Sequence, residues 1–169
     1  FHSRVYLPSG GNIKIEQTEA LVAIDINTGS FTGKSNYDET VKRTNVEAAA
    51  EVARQIRLRD LSGVIVIDFI DMSNESHKSE VLETLKRGLR RDRAKNKVYS
   101  FTDLGLVEVT RKRMRSTLIA NFSEPCPFCN GSGRIISKDA IIMRIYRWLS
   151  RAEYFVMGKS LKIAVNPDL

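Results

Sequence analysis

Two aspartates that are distant along the chain occupy similar positions in separate apolar segments. Asp25 interrupts the apolar run at 20–26, and Asp68 follows the run at 64–67. Burying an unpaired carboxylate costs several kcal/mol, so such a residue is normally paired with a cation, hydrogen-bonded or bound to a metal. Two neighbouring carboxylates with open ligand positions suit Mg²⁺, which prefers oxygen ligands. The alternative is that each acid caps a helix or pairs with an arginine, and spacing alone leaves both interpretations open.

A third aspartate lies close to this pair in the sequence. Asp71 follows Asp68 by three residues. On a continuing strand its side chain would face the opposite side of the sheet, because successive residues alternate. We therefore expect the carboxylate pair to consist of Asp25 and Asp68, without Asp71.

The two cysteines of the chain form a second candidate site. Cys126 and Cys129 are followed by two glycines, a pattern typical of a turn that presents two thiolates to zinc. Zinc commonly takes four ligands, so a second copy of the chain would have to supply the other pair. A redox dithiol, which usually precedes a helix, and a chance pair of cysteines are the alternatives. So few cysteines argue against a disulfide framework and favour a reducing, intracellular setting.

A glycine-rich segment at 29–35 has some features of a phosphate-binding loop. Three residues separate its glycines, whereas the motif requires four. Residues 36–38 also separate it from the following helix, so a helix N-terminus cannot stand directly behind a phosphate. A loop that faces substrate is favoured over nucleotide hydrolysis, for which loss of ATP or GTP binding in Lys34→Ala would be the sign.

The charge of the chain favours a polyanionic partner. Its 27 Lys and Arg exceed its 20 Asp and Glu, giving a net charge of +7. The excess is concentrated at 86–97 and 111–115, either as a solvated helix face or as a stripe that follows phosphates. The candidate phosphate contacts are Arg91, Arg93, Lys95, Arg111, Lys112, Arg113 and Arg115. Between the clusters, Tyr99 and Phe101 alternate on a strand and could stack on bases, although such residues more often belong to a core.

The elements that must position these side chains alternate between strand and helix patterns. Strands are predicted at 13–16, 20–26, 64–70, 97–101, 106–110 and 161–165. Helices are predicted at about 39–60, 75–94 and 140–149, with Asp38 and Ser73 or Asn74 as N-caps of the first two. The run at 64–70 has no polar alternation, which predicts a central strand covered on both faces. The fold class is therefore α/β or α+β, a mixed sheet flanked by helices.

The composition of the chain bounds its organisation. With 42% hydrophobic and 28% charged residues, it is neither disordered nor fibrous. We expect a main domain at 1–120, a connector with both cysteines at 121–136, and the start of a truncated small domain at 137–169. The chain has no run of about 18 apolar residues, and its first residues lack an initiator Met and a signal-peptide core. These features predict a piece of a longer protein without a membrane span.

Six short motifs follow one another along the chain. They lie at 17–20, 23–27, 44–49, 56–61, 67–72 and 126–129. In this combination and order they resemble the catalytic domain of the ribonuclease E/G family, from about residue 7 to residue 133. The resemblance implies a deoxyribonuclease-I-like subdomain and endoribonuclease activity on single-stranded RNA in the cytoplasm, leaving 5′-phosphate and 3′-hydroxyl ends. A non-cleaving module that binds RNA and dimerises through zinc is the alternative.

The resemblance also implies roles for individual residues. Asp25 and Asp68 would hold a catalytic Mg²⁺, and Asn27 would hydrogen-bond within that site. Cys126 and Cys129 would share one zinc ion with the same residues of another protomer, in a homodimer or higher oligomer, and the tail would belong to a small dimerisation domain. Family members also carry an upstream OB-type RNA-binding domain and a pocket for the RNA 5′ end, neither of which lies in these 169 residues. Lys95 stands where the family has an arginine, which is expected to weaken one phosphate contact.

Overall fold

The computed structural model describes residues 2–29, 37–129, 131–156, 158, 160 and 162–164. The chain divides into two compact units, Phe1–Ser123 and Glu124–Leu169. The first unit contains a six-stranded mixed sheet, and the second contains the two cysteines and a long helix. None of the helices in the described residues combines the length and the apolar character needed to span a membrane.

The sheet of the first unit has one parallel strand pair at its centre. Its strands are β1 (Arg4–Tyr6), β2 (Asn12–Gln17), β3 (Leu21–Asn27), β4 (Gly63–Asp68), β5 (Asn96–Phe101) and β6 (Leu106–Arg111), in the spatial order β1-β2-β3-β4-β6-β5. Strands β3 and β4 are parallel, and the other neighbours in this order are antiparallel. The parallel pair needs a crossover connection, which contains helix α1 (Tyr37–Leu58). Helix α2 (Glu75–Leu89) connects β4 to β5, and the short helix α3 (Leu118–Phe122) follows β6.

One face of the sheet forms the hydrophobic core with α1 and α2. Ile24, Ile65, Ile67 and Val109 lie on that face and are buried. The two helices approach each other closely, since a Cβ atom added to Gly88 of α2 would lie 2.5 Å from the Cβ of Ala53. Fully burying such aliphatic side chains stabilises the fold by about 1.5 to 3 kcal/mol each.

The opposite face of the sheet is open in part, which corrects the prediction for the central strand. Val64 of β4 is 44% exposed and Val66 is half-buried, whereas the predicted strand was covered on both faces. The helical layer formed by α1 and α2 buries only the face that carries Ile65 and Ile67. The alternation was hidden because β-branched residues occupy both faces of this strand. The open face is therefore available to position functional side chains.

Most predicted elements of the first unit are present, with shifted boundaries. Helix α1 includes Asp38, so this residue lies within the first turn and is not the cap. Strand β4 ends at Asp68, and α2 ends at Leu89 rather than near residue 94. The side chain of Asn74, and not that of Ser73, caps α2 by accepting a hydrogen bond from the backbone N–H of Ser76 at 2.9 Å. Strand β1 and helix α3 were not predicted.

The second unit contains helix α4 (Lys138–Val156), which is longer than the predicted helix at 140–149. The strand predicted at 161–165 is only partly within the described residues. Residues 162–164 are not in a strand, so the prediction is wrong there, and residues 161 and 165 lie outside the described part of the chain. Because no neighbouring strand pairs with this segment in the described residues of the unit, β propensity alone does not make it a strand.

Candidate active site

The parallel strands β3 and β4 bring Asp25 and Asp68 together. The two residues are direct register partners, although they are distant in the sequence. Neighbouring strands lie about 4.8 Å apart, and paired residues point to the same face. Ile24, Ile26 and Ile67 point into the core, so both carboxylates lie on the open face. Two carboxylates in this arrangement can share one cation.

The electrostatic environment of this pair favours a bound cation. Burial and the negative charges of Asp25 and Asp71 raise the pKa of Asp68 above its usual range. Lys14 of β2 is the register partner of Asp25, but its Nζ pairs with Glu16, and among the described residues no Lys or Arg forms an ion pair with Asp25 or Asp68. A cation that bound here would relieve the repulsion between like charges.

Asn27 orients one of the two carboxylates. Its Nδ2 donates a hydrogen bond to Oδ2 of Asp25 at 2.8 Å. Both side chains belong to β3 and are two residues apart, so they share the open face. Asp25 and Asn27 line a pocket together with Arg4 and Lys14. The Nζ of Lys14 pairs with Glu16 at 2.7 Å. Asn27 therefore fixes one oxygen of Asp25 and leaves the other free for a ligand.

Asp71 stays outside the carboxylate pair, as expected, but strand alternation is not the reason. Strand β4 ends at Asp68, so strand alternation does not extend to Asp71, whose charge raises the pKa of Asp68. Asp71 also faces the turn between β5 and β6, where a Cβ added to Gly105 would lie 3.6 Å from its Oδ1. Strand β4 ends at Asp68, two residues before the predicted end, and the residue types at 68–72 do not indicate this.

The donor set of this edge fits Mg²⁺. In the described part of the chain, no three His, Cys, Asp or Glu residues lie close enough to hold a metal together. Asp25 and Asp68 therefore offer two carboxylates in an exposed position and leave the remaining ligand positions to water or substrate. Mg²⁺ is commonly bound in this way, through one or two carboxylates, several waters and substrate phosphates.

Arg111 has a structural role, which corrects its place among the candidate phosphate contacts. Its side chain is only 5% exposed and pairs with Asp60 and Asp92. Nε donates to Asp92, Nη1 donates to Asp60 and to the carbonyl of Leu61, and Nη2 donates to both carboxylates, at 2.6–3.2 Å. The cause is strand alternation, which puts Arg111 on the core-facing side of β6 with Val107 and Val109. Its donors are used within the protein.

The end of helix α1 completes this buried ion-pair network. Asp60 has a left-handed backbone conformation, with φ of +54°, and the N–H of Leu61 donates to the carbonyl of Ile56. This is a Schellman cap with Asp in the position where Gly is usual. Burial opposes ionisation, but hydrogen bonds from Arg115 and Arg111 outweigh it and lower the pKa of Asp60. Burial acts in the same direction at Asp92, where Arg111 and the N–H of Ala94 lower the pKa.

The other candidate phosphate contacts are exposed, but they lie at the far end of the sheet. They are Arg91, Arg93, Lys95, Lys112, Arg113 and Arg115. Leu106 of β6 pairs with Asp68, whereas Arg111 pairs with Gly63. Five residues of strand span about 17 Å. The structure therefore separates the cations from the carboxylate pair, and Arg115 is also bound to Asp60.

A β-bulge separates the two aromatic residues that strand alternation would place on one face. The register of β5 against β6 shifts between Val98 and Phe101. Phe101 packs against the core, with its ring centroid 5.7 Å from that of Phe69. Tyr99 is 39% exposed, and the Nζ of Lys97 lies 4.6 Å from its ring centroid. Tyr99, but not Phe101, is available to stack on a base.

The cysteine turn of the second unit stabilises a thiolate. The sulfur of Cys129 accepts a hydrogen bond from the N–H of Gly133 at 3.3 Å. This bond, together with bonds from Cys126 and the N–H of Gly131, lowers the pKa of Cys129. Gly131 and Gly133 have φ of +84° and +68°, which L side chains rarely adopt. The turn thus presents two sulfur donors, which suit zinc but make up only half of a tetrahedral site.

The glycine-rich segment considered as a phosphate loop lies mainly outside the described residues. Gly29 is described, with φ of +69°, and residues 30–36 are not. The interpretation of this segment as a substrate-facing loop stays a prediction.

Comparison with known proteins shows the family to which this chain belongs. Residues 1–114 match the model of the Ribonuclease E/G family. The chain belongs to the ribonuclease E/G family. It is similar to ribonuclease G of Escherichia coli K12, at 46% identity over 164 residues, and to that of Haemophilus influenzae, at 43% over 164 residues. Each covers 97% of this chain. It is also similar to ribonuclease E of Synechocystis, at 52% identity over 133 residues and 79% of this chain.

Membership of the ribonuclease E/G family confirms the family resemblance predicted from the sequence. The chain spans only part of these relatives, with 34% of the E. coli ribonuclease G, 33% of the H. influenzae protein and 20% of the Synechocystis ribonuclease E. Two of the six motifs named in the sequence analysis contain the carboxylate pair, at 23–27 in β3 and at 67–72 across the end of β4. A third, at 56–61, contains the capped end of α1 and Asp60.

Proposed function

We propose that this chain is the catalytic part of a Mg²⁺-dependent endoribonuclease that hydrolyses single-stranded RNA in the cytoplasm, leaving 5′-phosphate and 3′-hydroxyl ends. One observation carries the proposal. Asp25 and Asp68 are register partners on the open face, and no Lys or Arg of the described residues is ion-paired with them. Family membership supports RNA as the substrate, since the similar proteins are named ribonucleases.

These products define the bonds that change. Water attacks the phosphorus, the bond to the 3′ oxygen breaks, and that oxygen takes up a proton. Asp25 and Asp68 would hold Mg²⁺, which supplies stabilisation of charge on phosphate oxygens and a lower pKa for bound water. Asn27 keeps Asp25 oriented through its 2.8 Å hydrogen bond. The chain's own contribution is thus a fixed, negatively charged binding edge.

The open sheet face offers a path between this edge and the cations. Tyr99 lies at the bulge opposite the exposed Glu108 of β6, which pairs on its other side with Val66, two residues before Asp68. A base stacked on Tyr99 would leave the RNA backbone free to reach the exposed cations at the far end of the sheet. Stacking on aromatic rings and phosphate contacts bind single strands with little sequence preference.

The proposal is tested by cleavage of a short unstructured RNA in Mg²⁺. The Asp25→Asn variant is expected to lose about 100- to 1,000-fold in cleavage rate while it binds RNA nearly as well as wild type. Glu83→Gln is the matched control, because it removes the same charge from an exposed position of α2, on the covered side of the sheet. Cleavage by Asp25→Asn at the wild-type rate would show that the site is wrongly assigned.

We also propose that Cys126 and Cys129 bind a zinc ion that is shared with a second chain. Support comes from the lowered pKa of Cys129 and from the lack, among the described residues, of a third His, Cys, Asp or Glu that could complete a site beside the two cysteines. About one zinc per two chains is expected, together with a dimer that Cys126→Ser dissociates. One zinc per chain would contradict sharing. A zinc-linked chain that binds RNA without cleaving it would favour the second candidate, a non-cleaving RNA-binding and dimerisation module.

A further inference from the structure

The family motif at 44–49 has no part in the site described so far, yet it contains a fully buried amide. Asn45 of α1 has 0% exposure. Its Nδ2 donates to the carbonyl of Ile70 at 2.8 Å, and its Oδ1 accepts from the N–H of Ile70 at 3.1 Å. A single side chain thus binds both polar groups of one backbone residue, only two positions beyond Asp68.

This contact replaces strand pairing at the point where β4 has ended. Strand β4 pairs on both sides as far as Asp68, and Ile70 lies beyond the ladder. Buried backbone groups need partners, and a side-chain amide offers the same donor and acceptor as a peptide group. Asn45 therefore holds the segment that carries Asp68 and Asp71.

A second residue of the same helix holds the turn that packs beside β3. Oε2 of Glu47 accepts a hydrogen bond from the N–H of Ser9 at 2.9 Å, in the turn between β1 and β2. Burial opposes ionisation of Glu47, but hydrogen bonds from Ser9 and Arg43 outweigh it and lower its pKa. The side chain is therefore an ionised acceptor at neutral pH.

That turn lies directly against the segment that follows Asp25. A Cβ added to Gly11 would lie 2.7 Å from the carbonyl oxygen of Asn27. A Cβ added to Gly29 would lie 2.4 Å from the carbonyl oxygen of Gly10. Only glycine permits this approach. A displacement of the turn would consequently displace Asn27, which orients Asp25.

We propose that Asn45 and Glu47 are positioning residues that hold the ends of β4 and β3 in register, so that Asp25 and Asp68 face one cation. Asn45 acts through Ile70, and Glu47 acts through Ser9 and the glycine turn. Neither residue contacts the carboxylates. The expected effect on cation binding rests on the proposed function. The contacts of Asn45 and Glu47 do not depend on that function.

The experiment measures Mn²⁺ binding and amide hydrogen exchange in the 169-residue chain. Asn45→Ala is expected to weaken Mn²⁺ binding about 10-fold, as loss of groups that orient metal ligands commonly does. It is also expected to speed exchange at the amides of Ile70 and Asp71. Glu47→Ala is expected to weaken Mn²⁺ binding, whereas Glu47→Gln, which keeps an acceptor for Ser9, is expected to restore it.

The matched control is Gln55→Ala. Gln55 is another buried amide of α1, but it binds Glu51 and Arg59 rather than a strand end. Its loss is expected to leave both Mn²⁺ affinity and exchange at Ile70 unchanged. If Gln55→Ala weakens Mn²⁺ binding as much as Asn45→Ala does, the effect is general loosening of the helix, and the inference is wrong.

The remaining outcomes separate this inference from the proposed function. If wild type binds Mn²⁺ through Asp25, and Asn45→Ala and Glu47→Ala bind it equally well, the positioning role is overturned and the proposed function stands. If Asp25→Asn binds Mn²⁺ as wild type does, the proposed function fails, and unchanged exchange at Ile70 in Asn45→Ala would overturn the positioning role independently. If Asn45→Ala does not fold, the Mn²⁺ affinities of Glu47→Ala and Glu47→Gln decide the inference, and equal affinities would overturn it.

Discussion

The two ends of the sheet each contain a pair of aspartates, and the pairs have opposite electrostatic environments. At one end, Asp25 and Asp68 lie on the open face, and partial burial together with the charges of Asp25 and Asp71 raises the pKa of Asp68. At the other end, Asp60 and Asp92 are buried around Arg111, and their pKa values are lowered. The two pairs thus differ in the charges that face them. Arginines neutralise Asp60 and Asp92 within the protein, whereas among the described residues no ion pair neutralises Asp25 or Asp68.

The sharpest way to break this comparison is to remove the compensating arginine. Arg111→Ala would leave Asp92 buried without its ion-pair partner and Asp60 with Arg115 alone. Loss of a buried ion-pair partner typically lowers the free energy of unfolding by about 3 to 5 kcal/mol. Urea denaturation measures the change. Asp25→Asn, at the uncompensated end, is expected to change the free energy of unfolding by less than about 0.5 kcal/mol.

Arg91→Ala is the control for Arg111→Ala, because it removes the same charge from an exposed side chain near the network. A change within about 0.5 kcal/mol is expected. If Arg91→Ala and Arg111→Ala are equally mild, the buried network does not stabilise the fold, and the contrast between the two ends fails.

The pH dependence of stability tests the same network. Asp60 and Asp92 have lowered pKa values in the folded state, so their contribution is present above the unfolded value of about 3.9. It is lost as the pH falls through their folded values. The difference in unfolding free energy between wild type and Asp92→Asn is therefore expected to be largest near about pH 6 and to shrink on acidification. A difference that is constant between about pH 6 and pH 2 would contradict the ion-pair assignment.

A smaller effect is expected on the open face between the two ends. Tyr99→Ala is expected to weaken single-stranded RNA binding by about 1 to 3 kcal/mol, because a base of the RNA loses the exposed aromatic ring on which it stacks. Phe101→Ala is expected instead to lower stability, since Phe101 packs against Phe69. Fluorescence anisotropy and urea denaturation separate the two effects. Equal RNA affinity in Tyr99→Ala and wild type would exclude Tyr99 from the RNA path.

The sequence predicted every strand of the sheet except β1, because apolar runs are local signals. Spacing alone left open whether Asp25 and Asp68 form one site, and only the family resemblance implied that they do. It did not predict that Arg111 is buried, since that depends on the face of β6 that meets the core and on the distant Asp60 and Asp92. The bulge that separates Tyr99 from Phe101 was equally hidden. Interactions between distant segments decide these features, and local periodicity does not report them.

The most direct test of the account is the number of Mn²⁺ ions bound per chain, measured by electron paramagnetic resonance. Mn²⁺ prefers carboxylate ligands as Mg²⁺ does, whereas cysteine thiolates select softer metals. About one ion per chain is expected in wild type, with loss of that ion in Asp25→Asn and in Asp68→Asn. Asp92→Asn, measured where it remains folded, is expected to keep the ion. Retention of Mn²⁺ by Asp25→Asn or by Asp68→Asn would contradict the central claim that these two carboxylates form the cation site.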